Sequence, residues 1–381
     1  MRARLERDFE RFKRELPRDL AGHVREAYRI DLTARYLGYT LPHPVGKGSG
    51  QLSLNLEQLE TDRAAGLAFV VLKTVVAEDS AGGRSMGAWA IHETRMRVER
   101  LRSAEGREGW TVTWKGRGWD RSFEEYLSLV RTAGELTRSG NLVAVPSVKY
   151  HLPRMDEPFR EEEYRHTTCR LADAWGDGTL TLEKDFSPTL AGDALADERA
   201  RILRWLREVP GQIRRGADGA PVRLALKLMD SRHGDPFQLE MLEAAAGADG
   251  LVVFNRLWSP ERAVAYGGYD LSDGNLQVLA AARGRIGTPP LSGTGNVCSG
   301  RLLLDYARAG CESVQLHTFF QLPLSEYPAT GGSRTQRALH ALYFDPAHGV
   351  IAGMLELAQS GALERRGGEL RFLDLVDRPC E

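Results

Sequence analysis

The residues best suited to chemistry lie between Leu291 and Phe320, in LSGTGNVCSGRLLLDYARAGCESVQLHTFF. An apolar run ends in Gly293-Thr294-Gly295. A link through Asn296 and Ser299-Gly300 then opens a helical stretch, and a second apolar run ends at His317-Thr318. Glycines after a strand let backbone N–H groups approach an anion closely, and a helix N-terminus carries partial positive charge. The chemistry on offer is phosphate binding; a plain tight turn is the other reading of the same glycines. Two lysines, Lys73 in LAFVVLKTVV and Lys227 in VRLALKLM, sit inside apolar runs. An ammonium between Leu226 and Leu228 is costly to bury without an anionic partner, unless a strand end lifts it to solvent.

These residues need a frame to bring them together. β-like runs are expected at Leu41–Val45, Leu67–Val75, Asn141–Val148, Thr179–Lys184, Val222–Met229, Gly250–Asn255, Pro290–Gly293 and Ser313–His317. Several are almost continuously apolar, as parallel strands covered on both faces must be. Helical stretches such as Arg199–Arg215, Pro236–Ala246 and Gly300–Ala309 intervene. Alternating β and α segments predict an α/β protein, and the count of strands favours a closed (β/α)8 TIM barrel over an open doubly wound sheet. In such a barrel the loops after the last two strands are the recurrent phosphate site, which is where Gly293, Gly295, Asn296, His317 and Thr318 fall.

The remaining segments decorate one domain. Residues 1–38 read as an N-terminal helical cap with an apolar stripe of Leu5, Phe9, Phe12, Leu16, Leu20 and Val24. Residues 39–322 form the barrel, and alternating segments around SAEGREG predict a β-hairpin inserted at about 88–116. Residues 323–381 are a C-terminal extension with a helix near Val350–Ser360 and a short strand pair around ERRGGELRFLDL.

Composition removes several function classes. Lys+Arg of 51 against Asp+Glu of 52 gives no basic excess for a nucleic-acid partner. No apolar run approaches the roughly 18 residues of a membrane span, and the charged N-terminus is unlike a secretory signal. Four cysteines, far apart and without a CxxC pair, suit reduced thiols in the cytoplasm and offer no iron–sulfur ligand set.

From about Leu37 to Leu322 the sequence resembles the dihydroorotate dehydrogenase family and the barrel of dihydropyrimidine dehydrogenases. LGYTLPHPVGKGSG resembles the first-strand block, with Gly48-Ser49-Gly50 at the turn beside the flavin and His43 where an Asn is usual. LAFVVLKTV and VRLALKLMD resemble the second- and fifth-strand blocks, which places Lys73 and Lys227 at the flavin-facing lysines. AYGGYDLS, LSGTGNV and VQLHTFF resemble later cofactor blocks. The resemblance thus implies FMN as cofactor, held also by Gly268, Gly293, Gly295, Asn296, His317 and Thr318. Asn296 replaces a glycine there, and Asn tolerates positive φ better than most residues.

The same resemblance implies that Ser187, before Pro188 in TLEKDFSPTLAGD, is the base that takes a proton from substrate carbon as hydride passes to flavin N5. An ordinary loop serine is the alternative. The substrate half departs from the family: Glu183 and Thr189 replace asparagines, and only Asn255 keeps its type. A carboxylate beside dihydroorotate's own carboxylate repels it, so the substrate is expected to be a different small cyclic or conjugated molecule. Glu183 is a candidate acid or base, or a partner for Lys73 or Lys227. Trp114, Lys115, Arg117 and Trp119 form either an alternative pocket wall or a hairpin-end surface. The expected activity is an FMN-dependent oxidoreductase acting on CH–CH bonds, with an unidentified electron donor or acceptor and a possible homodimer. A barrel that binds ligand or partner without redox turnover, and a phosphate-cradle lyase or isomerase, are the alternatives.

Overall fold

The computed structural model describes residues 1–87, 96–102, 108–114, 118–140, 142–186, 199–231, 234–259, 264–266, 269–283 and 289–377. Its centre is a closed ring of parallel strands. We number them β1 (Val45–Lys47), β2 (Phe69–Val71 continuing as Val75–Val76), β3 (Val143–Val145 continuing as Ser147–Lys149), β4 (Leu180–Asp185), β5 (Val222–Met229), β6 (Gly250–Asn255), β7 (Leu291–Thr294) and β8 (Cys311–Leu316). Each pairs with the next, and β8 pairs with β1 through Val314–Val45 and Leu316–Lys47, which closes the barrel. Each strand is followed by a helix before the next, from Leu56–Ala64 after β1 to Arg334–Phe344 after β8. The molecule is a (β/α)8 barrel with both faces of its sheet covered, which is why its strands read as unbroken apolar runs.

The register decides which side chains face the barrel axis. Ser147 lies opposite Glu183, and Asp185 opposite Lys227. Parallel neighbours in register point to the same face, so Glu183 and Asp185 both point inward, one layer apart. Two strands are interrupted near the mouth. Pro146 has no N–H to give the ladder and splits β3. Between the halves of β2, Lys73 turns its N–H to Ser53 O (3.0 Å) in the loop after β1.

The first strand begins later than the apolar pattern predicts. Leu41 is followed by Pro42 and Pro44, neither of which can donate to a ladder, so the barrel starts at Val45. Tyr39–Leu41 instead pairs antiparallel with Ala34–Tyr36 around Leu37 and Gly38, both at positive φ. That tight hairpin plugs the barrel floor: Arg223 donates to Leu37 O (2.9 Å), and Tyr39 and Thr181 hydroxyls meet at 2.9 Å. Helix at the N-terminus also ends sooner than expected. Arg2–Arg11 and Leu20–Tyr28 are helical, and Arg29 in the left-handed region stops the second. Ile30–Asp31 then pairs in parallel with Leu370–Arg371, so the C-terminal strand finds its partner at the other end of the chain rather than within the extension.

The inserted hairpin consists of Met96–Arg102 against Glu108–Trp114. It arises from the β2 side and reaches across to the strand Val264–Tyr266 and the turn Thr318–Gln321. Arg100 pairs with Glu326 at 2.8 Å on that far side. The hairpin therefore lies over the C-terminal ends of the barrel strands.

Candidate active site

The strand ends gather an uncommon number of buried cations. Lys73, Lys149 and Lys227 are each at least nine-tenths buried, and Arg256 follows β6 at a positive φ of 64°. His317, directly after β8, lies among the charges of Arg256, Lys73 and Lys227. Burial holds its imidazole well below the ordinary range, and the charges of Arg256, Lys73, Lys227 and Lys47 push it further down. The imidazole is therefore neutral among cations, of which Lys227 faces Glu183 and Lys149 faces Asp185.

The turn after β1 belongs to the same place. Gly48 donates its N–H to Leu316 O (2.9 Å), and a Cβ on Gly48 would stand 3.7 Å from Lys227 Nζ. A Cβ on Gly50 would overlap the His317 ring, so glycine is required for the close approach. Ser49 Oγ meets Thr74 Oγ1 at 2.8 Å. The fold thus brings Gly48, Ser49, Gly50, Lys73, Lys227 and His317 to one mouth.

The turn after β7 is held from behind. Gly295 has φ +103° and Asn296 φ +54°. Tyr306 donates to Gly295 O (2.9 Å), and Asn275 Nδ2 donates to Phe254 O and Thr294 O, both at 2.9 Å. Neither residue stands out by type in the sequence, and both act from the helix layer. The following helix, Gly300–Arg308, is less available to an anion than its sequence suggests. Arg301 N–H goes to His348 O (3.0 Å) and Leu302 N–H to Ser299 Oγ (3.2 Å). Gly293 has a further constraint: its Cα faces outward, and a Cβ there would lie 2.6 Å from the Tyr306 ring. Its glycine serves helix–strand packing. Thr318 opens the turn Thr318–Gln321 directly after His317.

Several polar atoms at this mouth are buried with no hydrogen-bond partner among the described residues. They are both amide atoms of Gln51, Asn296 Oδ1 and Gln321 Oε1. Asn296 Nδ2 donates to Ser272 Oγ at 3.3 Å. A hydroxyl can donate as well as accept, so the amide can turn over and offer its N–H2 inward instead. Buried polar groups are nearly always paired, so orphans clustered in one place mark where a polar ligand belongs. Gln51 follows the Gly48–Gly50 turn and Gln321 lies one helical turn beyond His317. Sequence reasoning passed over both, because an isolated glutamine carries no pattern.

Across the mouth, the ends of β2, β3 and β4 satisfy one another. Thr74 Oγ1 meets Ser147 Oγ at 3.0 Å, and Lys149 Nζ is 2.9 Å from Asp185 Oδ2. Lys149 and Asp185 were not singled out in the sequence; the inward parity that makes Glu183 a candidate applies equally to Asp185. Glu183 itself lies one layer deeper and is fully buried. Its Oε2 accepts from Gln315 Nε2 (2.9 Å) and Tyr36 OH (3.4 Å), and its Oε1 is 3.7 Å from Lys227 Nζ. Burial raises its carboxyl above the usual range, against the pull of Lys227, Gln315 and Tyr36. That setting is beneath the mouth, not in contact with what enters it, so a direct role as acid or base toward substrate does not suit it.

Asn255 closes β6 opposite Met229, half-buried at the mouth. Trp114 ends its hairpin strand across from Met96, while Trp119 is buried against Tyr126. His43 is remote from the mouth: it precedes β1 and its Nε2–H donates to Gly66 O (2.8 Å), and burial lowers its imidazole to about 4. Ser187, Thr189, Lys115, Arg117 and Gly268 lie outside the described residues.

Comparison with solved structures places this architecture. The chain is similar to the dihydroorotate dehydrogenase of Eimeria tenella, crystallised in complex with ferulenol. The TM-score is 0.59 at 16% identity, over 91% of this chain and 88% of that one. The fold is a dihydroorotate dehydrogenase-like barrel. No protein-family model matches the chain, and no curated protein matches it. At this identity the likeness is one of fold, and the site must speak for itself.

Proposed function

We propose that the chain binds FMN at the barrel mouth and transfers a hydride between flavin N5 and a small cyclic or conjugated substrate other than dihydroorotate. The observation that carries this reading is the coincidence of buried cations around neutral His317 with orphaned amide atoms of Gln51, Asn296 and Gln321. The residues fit the cofactor. Gly295, Asn296, His317 and Thr318 would hold its phosphate, and the Gly48–Gly50 turn leaves room beside the ring. Lys73 and Lys227 would face the edge that becomes negative on reduction, which favours hydride acceptance. FMN supplies the hydride chemistry when bound; this chain supplies orientation, charge and proton handling. Ser187 remains the proposed base.

The substrate would meet the wall formed by Thr74, Ser147, Lys149 and Asp185. Asp185 brings a carboxylate to the mouth, where it would oppose dihydroorotate's own carboxylate more directly than the deeper Glu183. The cytoplasm is the proposed location, and the electron partner and a homodimer are likewise proposals.

Titration with FMN tests the reading directly. The expected result is a yellow protein that carries one FMN through gel filtration and releases it on heating. Protein that leaves FMN absorbance and fluorescence unchanged removes the proposal. FMN that binds but is never reduced, by dithionite, nicotinamide donors or any candidate substrate, supports the non-redox barrel instead.

A further inference from the structure

We propose that Glu183 is a positioning residue that sets the reduction potential of the flavin by acting through Lys227. This rests on the FMN reading above and adds a residue that touches neither cofactor nor substrate.

The geometry is a closed network inside the barrel, one layer below the mouth. Lys227 Nζ lies 3.7 Å from Glu183 Oε1 and 3.5 Å from Gln315 Oε1. Gln315 Nε2 donates to both Glu183 Oε2 (2.9 Å) and Tyr36 OH (3.0 Å). Tyr36 comes from the floor hairpin and stacks on Phe69 with ring centroids 4.3 Å apart. Glu183 Oε1 accepts no hydrogen bond among the described residues, so its charge is answered chiefly by the Lys227 ammonium. Among the described residues, the other charged or titratable groups facing this carboxylate are Asp185, one layer above, and Tyr36 and Tyr126.

A full hydrophobic lining would be cheaper here than a buried carboxylate. What the carboxylate adds is a negative charge under a cation that the Gly48 turn approaches. Lys227 stabilises negative charge on the reduced ring, and Glu183 offsets part of that cation. The pair therefore holds the potential below the value Lys227 alone would set. Neutralising Glu183 frees the full charge of Lys227 and favours the reduced cofactor.

The experiment compares the holoprotein with its Glu183→Gln and Glu183→Asp variants by redox titration against dyes, after FMN binding by each has been measured. Glu183→Gln is expected to favour reduced over oxidised FMN about tenfold more than the parent, an upward shift of about 30 mV for a two-electron couple. Glu183→Asp keeps the charge and should stay near the parent value. If the Gln variant does not fold, Tyr36→Phe is the second test. Loss of the hydroxyl donor makes the carboxylate easier to protonate, so the potential moves the same way by a smaller ratio. Equal potentials in parent and Glu183→Gln, or equal shifts in the Gln and Asp variants, overturn the inference while leaving FMN binding intact. Failure of the parent to bind FMN is read at the first step and removes the function proposal itself.

Discussion

Among the described residues, the side of β7, β8 and β1 leaves amide atoms of Gln51, Asn296 and Gln321 buried without partners. On the side of β2, β3 and β4, Thr74, Ser147, Lys149 and Asp185 satisfy one another. The first side thus carries three under-partnered amides, whereas these four inward groups of the second are paired with one another. An incomplete half gains by taking a polar ligand, because pairing an orphaned buried group recovers its desolvation cost. A complete half must exchange existing bonds for new ones, which makes it a discriminating wall rather than an anchor. That division is the one the proposed function requires of a cofactor side and a substrate side.

Perturbing each half separates these roles. The largest expected effect is on the complete side: Asp185→Ala leaves Lys149 buried without its carboxylate and should lower unfolding free energy by about 3 kcal/mol or more. Urea unfolding measures this, and FMN affinity should be retained or improved, since a carboxylate near the mouth opposes an anion. Next is Gly295→Ala. A Cβ there meets Phe254 O at 2.8 Å on a backbone with φ +103°, and FMN affinity should fall at least about tenfold, roughly 1.4 kcal/mol. Fluorescence titration at matched stability reads it.

Gln51→Leu tests the incomplete side by a change of sign. Removing an unpartnered buried amide should raise apoprotein stability by about 1 kcal/mol while weakening FMN binding. Loss of stability in the apoprotein would show that Gln51 is already satisfied and would break the comparison. The smallest effect is that of pH. A phosphate beside His317 raises the imidazole's proton affinity from its depressed free-state position, so FMN binding takes up a proton. Affinity is therefore strongest below the free-state value and declines as pH rises through the bound-state one. Calorimetric titration in buffers of different ionisation enthalpy measures the uptake, and His317→Gln should abolish it.

The sequence alone determined the class of fold and pointed to most of the residues proposed for the cofactor side. Eight apolar runs alternating with helices leave few parallel arrangements, and a glycine turn after a strand advertises backbone donors wherever it lies. Gly48, Gly50, Lys73, Lys227, Gly295, Asn296 and His317 were legible because each stands in a local pattern of strand, turn and charge. Gly293 was assigned to the same turn, but its neighbour Tyr306 is a helix residue that only packing brings there. Tertiary structure alone decided the rest. Whether Glu183 or Asp185 reaches the mouth depends on register, since both point inward and differ only in depth. The link from Tyr36 through Gln315 to Lys227 joins residues from the floor hairpin, β8 and β5, separated by up to 279 positions in sequence. Short-range pattern carries turns and strand faces. Depth within a barrel and the company of a buried charge are set by closure, when all eight strands fix their stagger together.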